Sequence, residues 1–237
     1  MSERNKTARI AGIWYLIIVV TGILNLVYIP SLLIDKSDPA GTLATLQESE
    51  FLFRIGIVCG LICYLAFIGL AFSLYKLLHQ VHLLAAQLMM VFVMLSIPIS
   101  FVNILNKFEV LNLISHRVYV AELSQAELQF QVMHALQAFS NGINISQIFW
   151  GLWLFPFGYL VYQSGFLPKF FGVLLMLGCV GYLITFFGGF LYKGFYDTVF
   201  SEIVGIPASV GEIGICLWLL IMGTNKLPFR RTSQSFS

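Results

Sequence analysis

The stretch HALQAFSNGINISQIFWGLWLFPFGYLVYQSGF, residues 134–166, decides the fold. Its second half is an apolar run, and its first half carries amide and hydroxyl side chains on one side of a predicted helix. An apolar run of about twenty residues has the length that crosses a bilayer as an α-helix. We therefore interpret residues 134–162 as a membrane-crossing helix that is longer than the bilayer is thick.

The rest of the chain has the same apolar character. Of its 237 residues 59% are hydrophobic and 10% are charged, against about 25% charged residues in an ordinary soluble domain. Lipid solvates such a composition directly, whereas a soluble fold of this length has too little polar surface to cover it. The net charge of +2 gives no indication of a nucleic-acid partner, and membrane lipids are the expected partners.

Apolar runs of this length occur six times. The chain is predicted to be all-α, a polytopic membrane protein with six transmembrane helices in one integral membrane domain, residues 1–237. Residues 224–237 are predicted to be a short flexible tail. The predicted spans are residues 10–29, 51–75, 83–105, 134–162, 168–191 and 199–223.

Six spans place both termini on one side, and the basic residues indicate which side it is. The side of the termini carries one acidic residue, Glu3, beside a larger set of basic residues. That set is Arg4, Lys6, Arg9, Lys76, Lys169, Lys226, Arg230 and Arg231. Because basic residues accumulate in cytoplasmic loops, both termini are predicted to be cytoplasmic.

The two longer outer loops carry helical patterns. In the first, Asp38 followed by Pro39 is typical of an N-cap and first helical position, and Leu43 and Leu46 continue a short helix. The second, residues 106–132, has apolar residues at three and four spacing among charged ones. This pattern predicts a helix on the membrane surface or over the bundle.

The fourth span carries the densest set of polar side chains. On a helical wheel they share an arc of about 140°. An amide in hydrocarbon without a partner costs several kcal/mol, so this side faces protein or water. Three interpretations stay open: hydrogen bonding between helices, projection above the membrane, and a ligand cavity. The residues are His134, Gln137, Ser140, Asn141, Asn144 and Gln147.

The sixth span holds an acidic residue, Glu212, close to its centre. It shares an arc of about 80° with Glu202, Gly205, Ser209 and Cys216. An ionisable residue inside a membrane is by default a functional-site hypothesis. Glu212 is predicted to be a neutral acid that donates a hydrogen bond or a group that exchanges protons, and a role in packing alone stays open.

Polar residues of other spans lie at similar depth. In the third span Ser96, Ser100 and Asn103 share one side near Pro98, and in the first span Asn25 lies near the outer end. These residues concentrate in the outer half of the predicted membrane region. The pattern predicts a pocket that opens outward and is closed below, rather than a pore.

Motifs for metals and common enzyme chemistries are missing. Cys59 and Cys63 have no further ligand nearby, and His79 and His82 lack a third ligand. We therefore expect no metal site and no cofactor. The aromatic residues that lie mostly toward the inner interface are interpreted as an aromatic belt. They are Trp14, Tyr15, Trp150, Trp153, Tyr159, Tyr162 and Trp218.

Three segments carry a family resemblance: FWGLWLFPFGYLVYQSGFLPKFFGVLLMLGCVGYLI at residues 149–184, ARIAGIWYL at the start and GEIGICLWLLIMG near the end. They resemble an uncharacterised bacterial membrane family, domain of unknown function 4386. The resemblance covers nearly the whole chain. It implies six spans in a bacterial cytoplasmic membrane and no particular activity. It singles out Glu212, Gly158, Tyr159, Gly165, Pro168 and Gly172.

Three hypotheses for function follow. The first is a protein that binds or senses a small molecule or lipid in the outward-facing pocket. Its site residues would be Ser100, Asn103, His134, Gln137, Asn141, Asn144, Gln147, Ser209 and Glu212. The second is a structural or regulatory membrane subunit, with a homo-oligomer or another membrane protein as partner. The third is an intramembrane enzyme that uses Glu212 and His134 as an acid/base pair, although no nucleophile is marked.

Overall fold

The computed structural model describes residues 2–115 and 122–224, and the regular secondary structure of these residues is helical. Six helical stretches are long and apolar enough to cross a membrane, which confirms the predicted fold class. They are Glu3–Leu33, Glu50–Leu78, Leu83–Ile114, Gln125–Gln163, Lys169–Leu191 and Val199–Ile221. The predicted tail beyond position 224, with Lys226, Arg230 and Arg231, lies outside the described residues.

Several of these stretches consist of more than one helix. A π-turn, Leu24–Tyr28, separates α1 from α2, and a 3₁₀ turn, Phe195–Asp197, precedes α9. The helices are α1 (Glu3–Ile23), α2 (Ile29–Leu33), α3 (Pro39–Glu48), α4 (Glu50–Leu78), α5 (Leu83–Ile114), α6 (Gln125–Leu152), α7 (Leu154–Gln163), α8 (Lys169–Leu191), α9 (Val199–Val204) and α10 (Ile206–Ile221).

Proline lies beside each break within a span. Pro156 has no N–H for the carbonyl four residues earlier, at the end of α6, and α7 starts afresh at Leu154. Pro207 follows the break at Gly205 between α9 and α10, and Pro30 follows the π-turn. Pro98 differs, because α5 continues through it.

The loop between the first and second spans confirms the capping prediction. The Asp38 carboxylate accepts a hydrogen bond from the N–H of Gly41 at 2.9 Å, and α3 starts at Pro39. Leu43 and Leu46 are buried, so this short helix packs through its apolar side.

The loop between the third and fourth spans is shorter than predicted. Residues up to Ile114 continue α5, and α6 starts at Gln125, so the apolar spacing of the described residues belongs to these two long helices. Val110, Leu113 and Ile114 are buried, which explains why their three and four spacing resembled an independent helix. Residues 116–121 of the predicted loop lie outside the described residues.

The chain divides into two compact units. The first takes the described residues of Met1–Tyr15, Gly69–Met94 and Gln147–Ser237. Its core contains large side chains that are at most 2% exposed, contributed by α1, α4, α5, α7, the residue before α7, and α10. These include Tyr15, Leu74, Leu78, Met89, Trp153, Leu154, Phe157 and Leu219.

The second unit takes Leu16–Ile68 and the described residues of Leu95–Ser146. Its core combines the end of the first span, α3, the first part of α4, the second half of α5 and the first half of α6. Buried residues here include Ile29, Leu46, Phe53, Ile104, Leu113, Leu128, Val132 and Phe139.

Large apolar side chains are exposed along the spans of both units. Leu65 is 58% exposed, Val102 66% and Phe190 78%. Water would penalise such surfaces, whereas lipid solvates them, so the exposure fits a multi-pass membrane protein.

Within the first unit α7 and α8 form a tight hairpin. Gly165, at a φ of +70°, lies in the turn, and Pro168 caps the next helix. A Cβ on Gly172 would lie 2.6 Å from the carbonyl oxygen of Gly158, so two glycines allow the helices to touch through their backbones. Helix α8 starts at Lys169, directly after Pro168.

The first and last described helices meet in this same unit. The Arg9 guanidinium donates to the carbonyl of Ile221 at 3.3 Å, and the N–H of Thr224 donates to the Asn5 side chain at 3.0 Å. The start of the first span therefore packs against the end of the sixth.

Candidate functional site

The predicted site residues fall into both units. Ser100, Asn103, His134, Gln137, Asn141 and Asn144 belong to the second unit, whereas Gln147, Ser209 and Glu212 belong to the first. Each set is therefore described within its own unit.

The polar side of the fourth span points outward along most of its length. His134, Gln137, Asn141 and Asn144 are exposed, and Gln147 is half-buried. The Gln137 amide donates to the Asn141 side chain at 3.0 Å, and the His134 ring stacks on Phe130. Among the described residues of the second unit, no hydrogen bond joins these exposed side chains to the lysine cluster of the same unit.

The length of this span gives a physical reason for the exposure. Gln125–Gln163 has 39 residues, about 58 Å of helix at 1.5 Å per residue, against about 30 Å of hydrocarbon. With the tight turn into α8 taken as one membrane boundary, the excess length lies at the Gln125 end. It then includes His134, Gln137 and Asn141, whereas Asn144 lies about 28 Å from Gln163, within the hydrocarbon. The role of the exposed polar residues as ligand contacts stays a prediction.

The first unit contains a cluster around Glu212. The hydroxyl of Tyr15, in α1, donates to Oε2 at 3.1 Å, and the hydroxyl of Tyr182, in α8, donates to Oε1 at 3.3 Å. Glu212 itself lies on α10, so the cluster joins three helices. Glu212 and Tyr182 are half-buried, and Tyr15 is 1% exposed.

Aromatic packing holds the two tyrosines in place. The Tyr15 ring lies 6.1 Å from that of Trp153, which stacks on Phe157 at 5.1 Å with an interplanar angle of 8°. A Cβ on Gly151 would lie 2.7 Å from the Cβ of Tyr182, so the glycine leaves room for the Tyr182 side chain. Tyr15 and Trp153 therefore do not belong to an aromatic belt, because a belt residue lies at the lipid surface and these two are buried.

The remaining predicted residue of the sixth span, Ser209, takes no part in the cluster. It is exposed, and its hydroxyl donates to the carbonyl of Gly205 at 3.3 Å. The break at Gly205 places Glu202 on α9, a different helix from Glu212. The wheel that grouped these residues assumed one unbroken helix.

A second cluster, in the second unit, surrounds a buried lysine. The Lys107 ammonium donates to the Asn25 side-chain oxygen at 2.6 Å and to the Asn25 carbonyl at 3.2 Å. It also lies over the Phe139 ring, 4.4 Å from its centroid, in a cation–π contact. Lys107 is 3% exposed and Asn25 1%.

The π-turn explains why the Asn25 carbonyl needs this donor. In an α-helix it would accept from the N–H of Ile29, but that N–H bonds to the carbonyl of Leu24. The next donor along the chain would be residue 30, which is a proline without an N–H. The lysine therefore supplies a hydrogen bond that the first span cannot supply itself.

Predicted residues of the third span lie beside this lysine. The Asn103 side chain donates to the carbonyl of Phe139 at 3.0 Å, and the Ser100 hydroxyl lies 3.5 Å from that of Ser146. Tyr64 is 2% exposed, and its hydroxyl has no hydrogen-bond partner, although the side chains of Asn25 and Ser100 are polar neighbours.

Sequence reasoning missed the tyrosines and the lysine for different reasons. Lys107 was assigned to a loop because it is charged, yet its spacing from Ser96, Ser100 and Asn103 is that of one helix face, a signal that was available. No comparable signal marks Tyr15 or Tyr182, because a wheel shows one helix and not which helices meet.

Among the described residues, no group of three His, Cys, Asp or Glu side chains lies close enough to hold a metal ion. The four cysteines are free thiols. The two clusters are therefore described by hydrogen bonding and charge.

Comparison with known proteins gives the family. The family model described as Domain of unknown function (DUF4386) matches residues 10–223. An uncharacterised protein of Archaeoglobus fulgidus is 33% identical over 94 residues, 38% of this chain and 52% of that protein. The chain thus spans about half the length of this curated relative. No solved structure matches the chain. Because the family match covers most of the sequence, the chain belongs to the family of the domain of unknown function DUF4386.

Proposed function

We propose that this protein binds a small molecule or lipid inside the membrane and that the Glu212 carboxylate receives a positively charged group of that ligand. The observation that carries the proposal is the set of contacts of Glu212. Both carboxyl oxygens accept from phenol hydroxyls, and no basic side chain of the described residues makes an ion pair with it.

The two phenol contacts suit an ionised group. A carboxylate accepts hydrogen bonds only, and each of its oxygens has one phenol as a donor. An ionised acid inside a membrane requires a counter-charge, and such residues pair with another group or mark a ligand path. A ligand ammonium would supply that charge.

The surroundings also suit an ammonium group. The Tyr15 hydroxyl contacts the carboxylate, the Tyr15 ring lies 6.1 Å from that of Trp153, and aromatic rings attract cations through their faces. Carboxylate and aromatic rings together are a common recognition surface for amines and quaternary ammonium groups. The ligand class is therefore an organic amine or a lipid with an ammonium head group.

We further propose that both termini are cytoplasmic, that the site opens outward and that the membrane is the bacterial cell membrane. The excess of basic residues near the termini supports the orientation. Reporter fusions after Ser237 test it, because a periplasmic signal would contradict it.

Binding can be measured on the full chain in neutral maltoside micelles. Dodecylammonium and dodecyltrimethylammonium are titrated as ligands, and dodecanol is the neutral control of equal chain length. We expect the two cations to raise the unfolding temperature and dodecanol to leave it unchanged. Glu212→Gln should weaken cation binding about tenfold or more, because a charged partner is lost.

Glu202→Gln is the matched control, since Glu202 is exposed and lies in the same unit. It should bind the cations like the wild type. Equal binding of dodecanol, or unchanged cation binding in Glu212→Gln, would contradict the proposal. A reproducible co-purifying membrane protein without any ligand effect would instead favour the structural-subunit hypothesis.

A further inference from the structure

We propose that Lys107, Asn25 and Tyr64 form a second binding site, which takes an oxyanion: the carboxylate or phosphate of an amphiphilic molecule. This site lies within the second unit and is independent of the Glu212 cluster. The inference rests on three features: an uncompensated buried charge, an unused buried donor, and the depth of the lysine along α5.

The charge of Lys107 has no acidic partner among the described residues. The ion pairs among the described residues join Lys6 to Glu3 and Arg54 to Glu50. Neither pair includes Lys107. The groups that face its ammonium are the two oxygens of Asn25 and the Phe139 ring, with the Cys59 thiol as a further neighbour. A buried cation surrounded by neutral groups is costly unless a counter-ion joins it.

The unused donor lies next to the same asparagine. Among the described residues the buried Tyr64 hydroxyl has no partner at hydrogen-bond geometry, and the side chains of Asn25 and Ser100 are near enough to interact with it. Gly60 lies one turn before Tyr64 on α4. A Cβ on Gly60 would lie 2.9 Å from the amide nitrogen of Asn25, so this side of α4 packs closely against Asn25. An oxyanion has several acceptor oxygens, so it can accept from the ammonium and from this phenol together.

The depth of the lysine indicates an amphiphile. Measured from Leu83, where α5 starts, Lys107 lies about 36 Å along the helix, just beyond the roughly 30 Å of hydrocarbon. The anionic groups of fatty acids and phospholipids lie at that depth. The oxyanion would replace the neutral Asn25 side-chain oxygen as the stronger acceptor for the ammonium.

The test uses the full chain in maltoside micelles. Dodecanoate and dodecyl phosphate are the anionic amphiphiles, dodecanol is their neutral isostere, and acetate and inorganic phosphate are the free ions. We expect dodecanoate and dodecyl phosphate to bind and to raise the unfolding temperature, and dodecanol to do neither. Free ions that bind as tightly would identify a soluble oxyanion as the ligand, and ions that do not bind would identify a lipid.

Two variants locate the site. Lys107→Met should weaken anion binding about tenfold or more, while Lys36→Met, which changes an exposed lysine of the same unit, should not. Tyr64→Phe removes only the unpartnered hydroxyl, so the chain should fold and bind anions several-fold more weakly. Tyr28→Phe, which changes a tyrosine 54% exposed, is its control.

The proposal is overturned if dodecanol binds as tightly as dodecanoate, if no anion shifts the unfolding of the wild type, or if Tyr64→Phe binds anions unchanged. Glu212→Gln should leave anion binding intact, and Lys107→Met should leave cation binding intact. Failure of one site is therefore distinguishable from failure of the other.

Discussion

The hydrogen bond from Lys107 to the Asn25 carbonyl should depend on the proline that follows it. Pro30 has no N–H, and among the described side chains the Lys107 ammonium, at 3.2 Å, donates to this carbonyl. Pro30→Ala restores an N–H at position 30, which can bond to the carbonyl with π spacing. Lys107→Met should therefore cost less stability in the Pro30→Ala background than in the wild type.

The size of this coupling follows from the bond that is exchanged. A buried carbonyl without a partner costs about 1 to 3 kcal/mol. Lys107→Met also removes a buried charge and a cation–π contact with Phe139, but these contributions occur in both backgrounds and cancel. We expect a coupling energy of about 1 to 2 kcal/mol, in the direction in which the restored N–H compensates for the lost ammonium.

The measurement is a double-mutant cycle on the free energy of unfolding, obtained by titrating SDS into maltoside micelles. Lys36→Met combined with Pro30→Ala is the control cycle, because Lys36 is exposed and should show no coupling. Additivity within about 0.3 kcal/mol for Lys107→Met and Pro30→Ala would refute the assignment of the lysine as the carbonyl's donor.

Two further predictions concern packing and pH. Gly172→Ala should destabilise the chain by about 1 to 3 kcal/mol, because a Cβ would lie 2.6 Å from the Gly158 carbonyl oxygen; Gly205→Ala, with nothing within 4 Å, should not, and equal losses in SDS titrations would contradict this. Hydrogen bonds from Ser37 lower the pKa of Asp35, so its contribution to stability is present above the ordinary Asp pKa of about 3.9 and is lost as the pH falls through the lower folded value. Carboxyl NMR titration should show a higher Asp35 pKa in Ser37→Ala, which keeps the backbone N–H donor, and an unchanged pKa would exclude the Ser37 hydroxyl as a cause.

Much of the fold could be predicted from the sequence because lipid imposes simple length rules. Six apolar runs predicted six spans, and the pair Asp38 and Pro39 predicted the start of α3. The span bounds were less accessible, since α5 and α6 extend beyond the hydrocarbon with buried apolar residues of their own. A charged residue such as Lys107 then looked like the start of a loop.

The candidate site was only partly predictable, for a related reason. The wheel correctly marked Glu212 and Asn103 as unusual, but a wheel contains no information about the neighbouring helix. The partners Tyr15 and Tyr182 come from helices far away in sequence. His134 and Asn141 carry polar groups that water can satisfy, so their position in the sequence did not require a buried partner.

The helix breaks connect the fold to both polar clusters. A break leaves backbone groups without helical partners, and these groups need donors or acceptors from elsewhere. At the π-turn, Pro30 leaves the Asn25 carbonyl to the Lys107 ammonium. At the break before Pro156, Trp153 lies between two helices and packs against Tyr15, which holds the Glu212 carboxylate. Proline therefore lies near the irregular backbone that contacts the Lys107 ammonium directly, and near Trp153, which reaches Glu212 only through Tyr15.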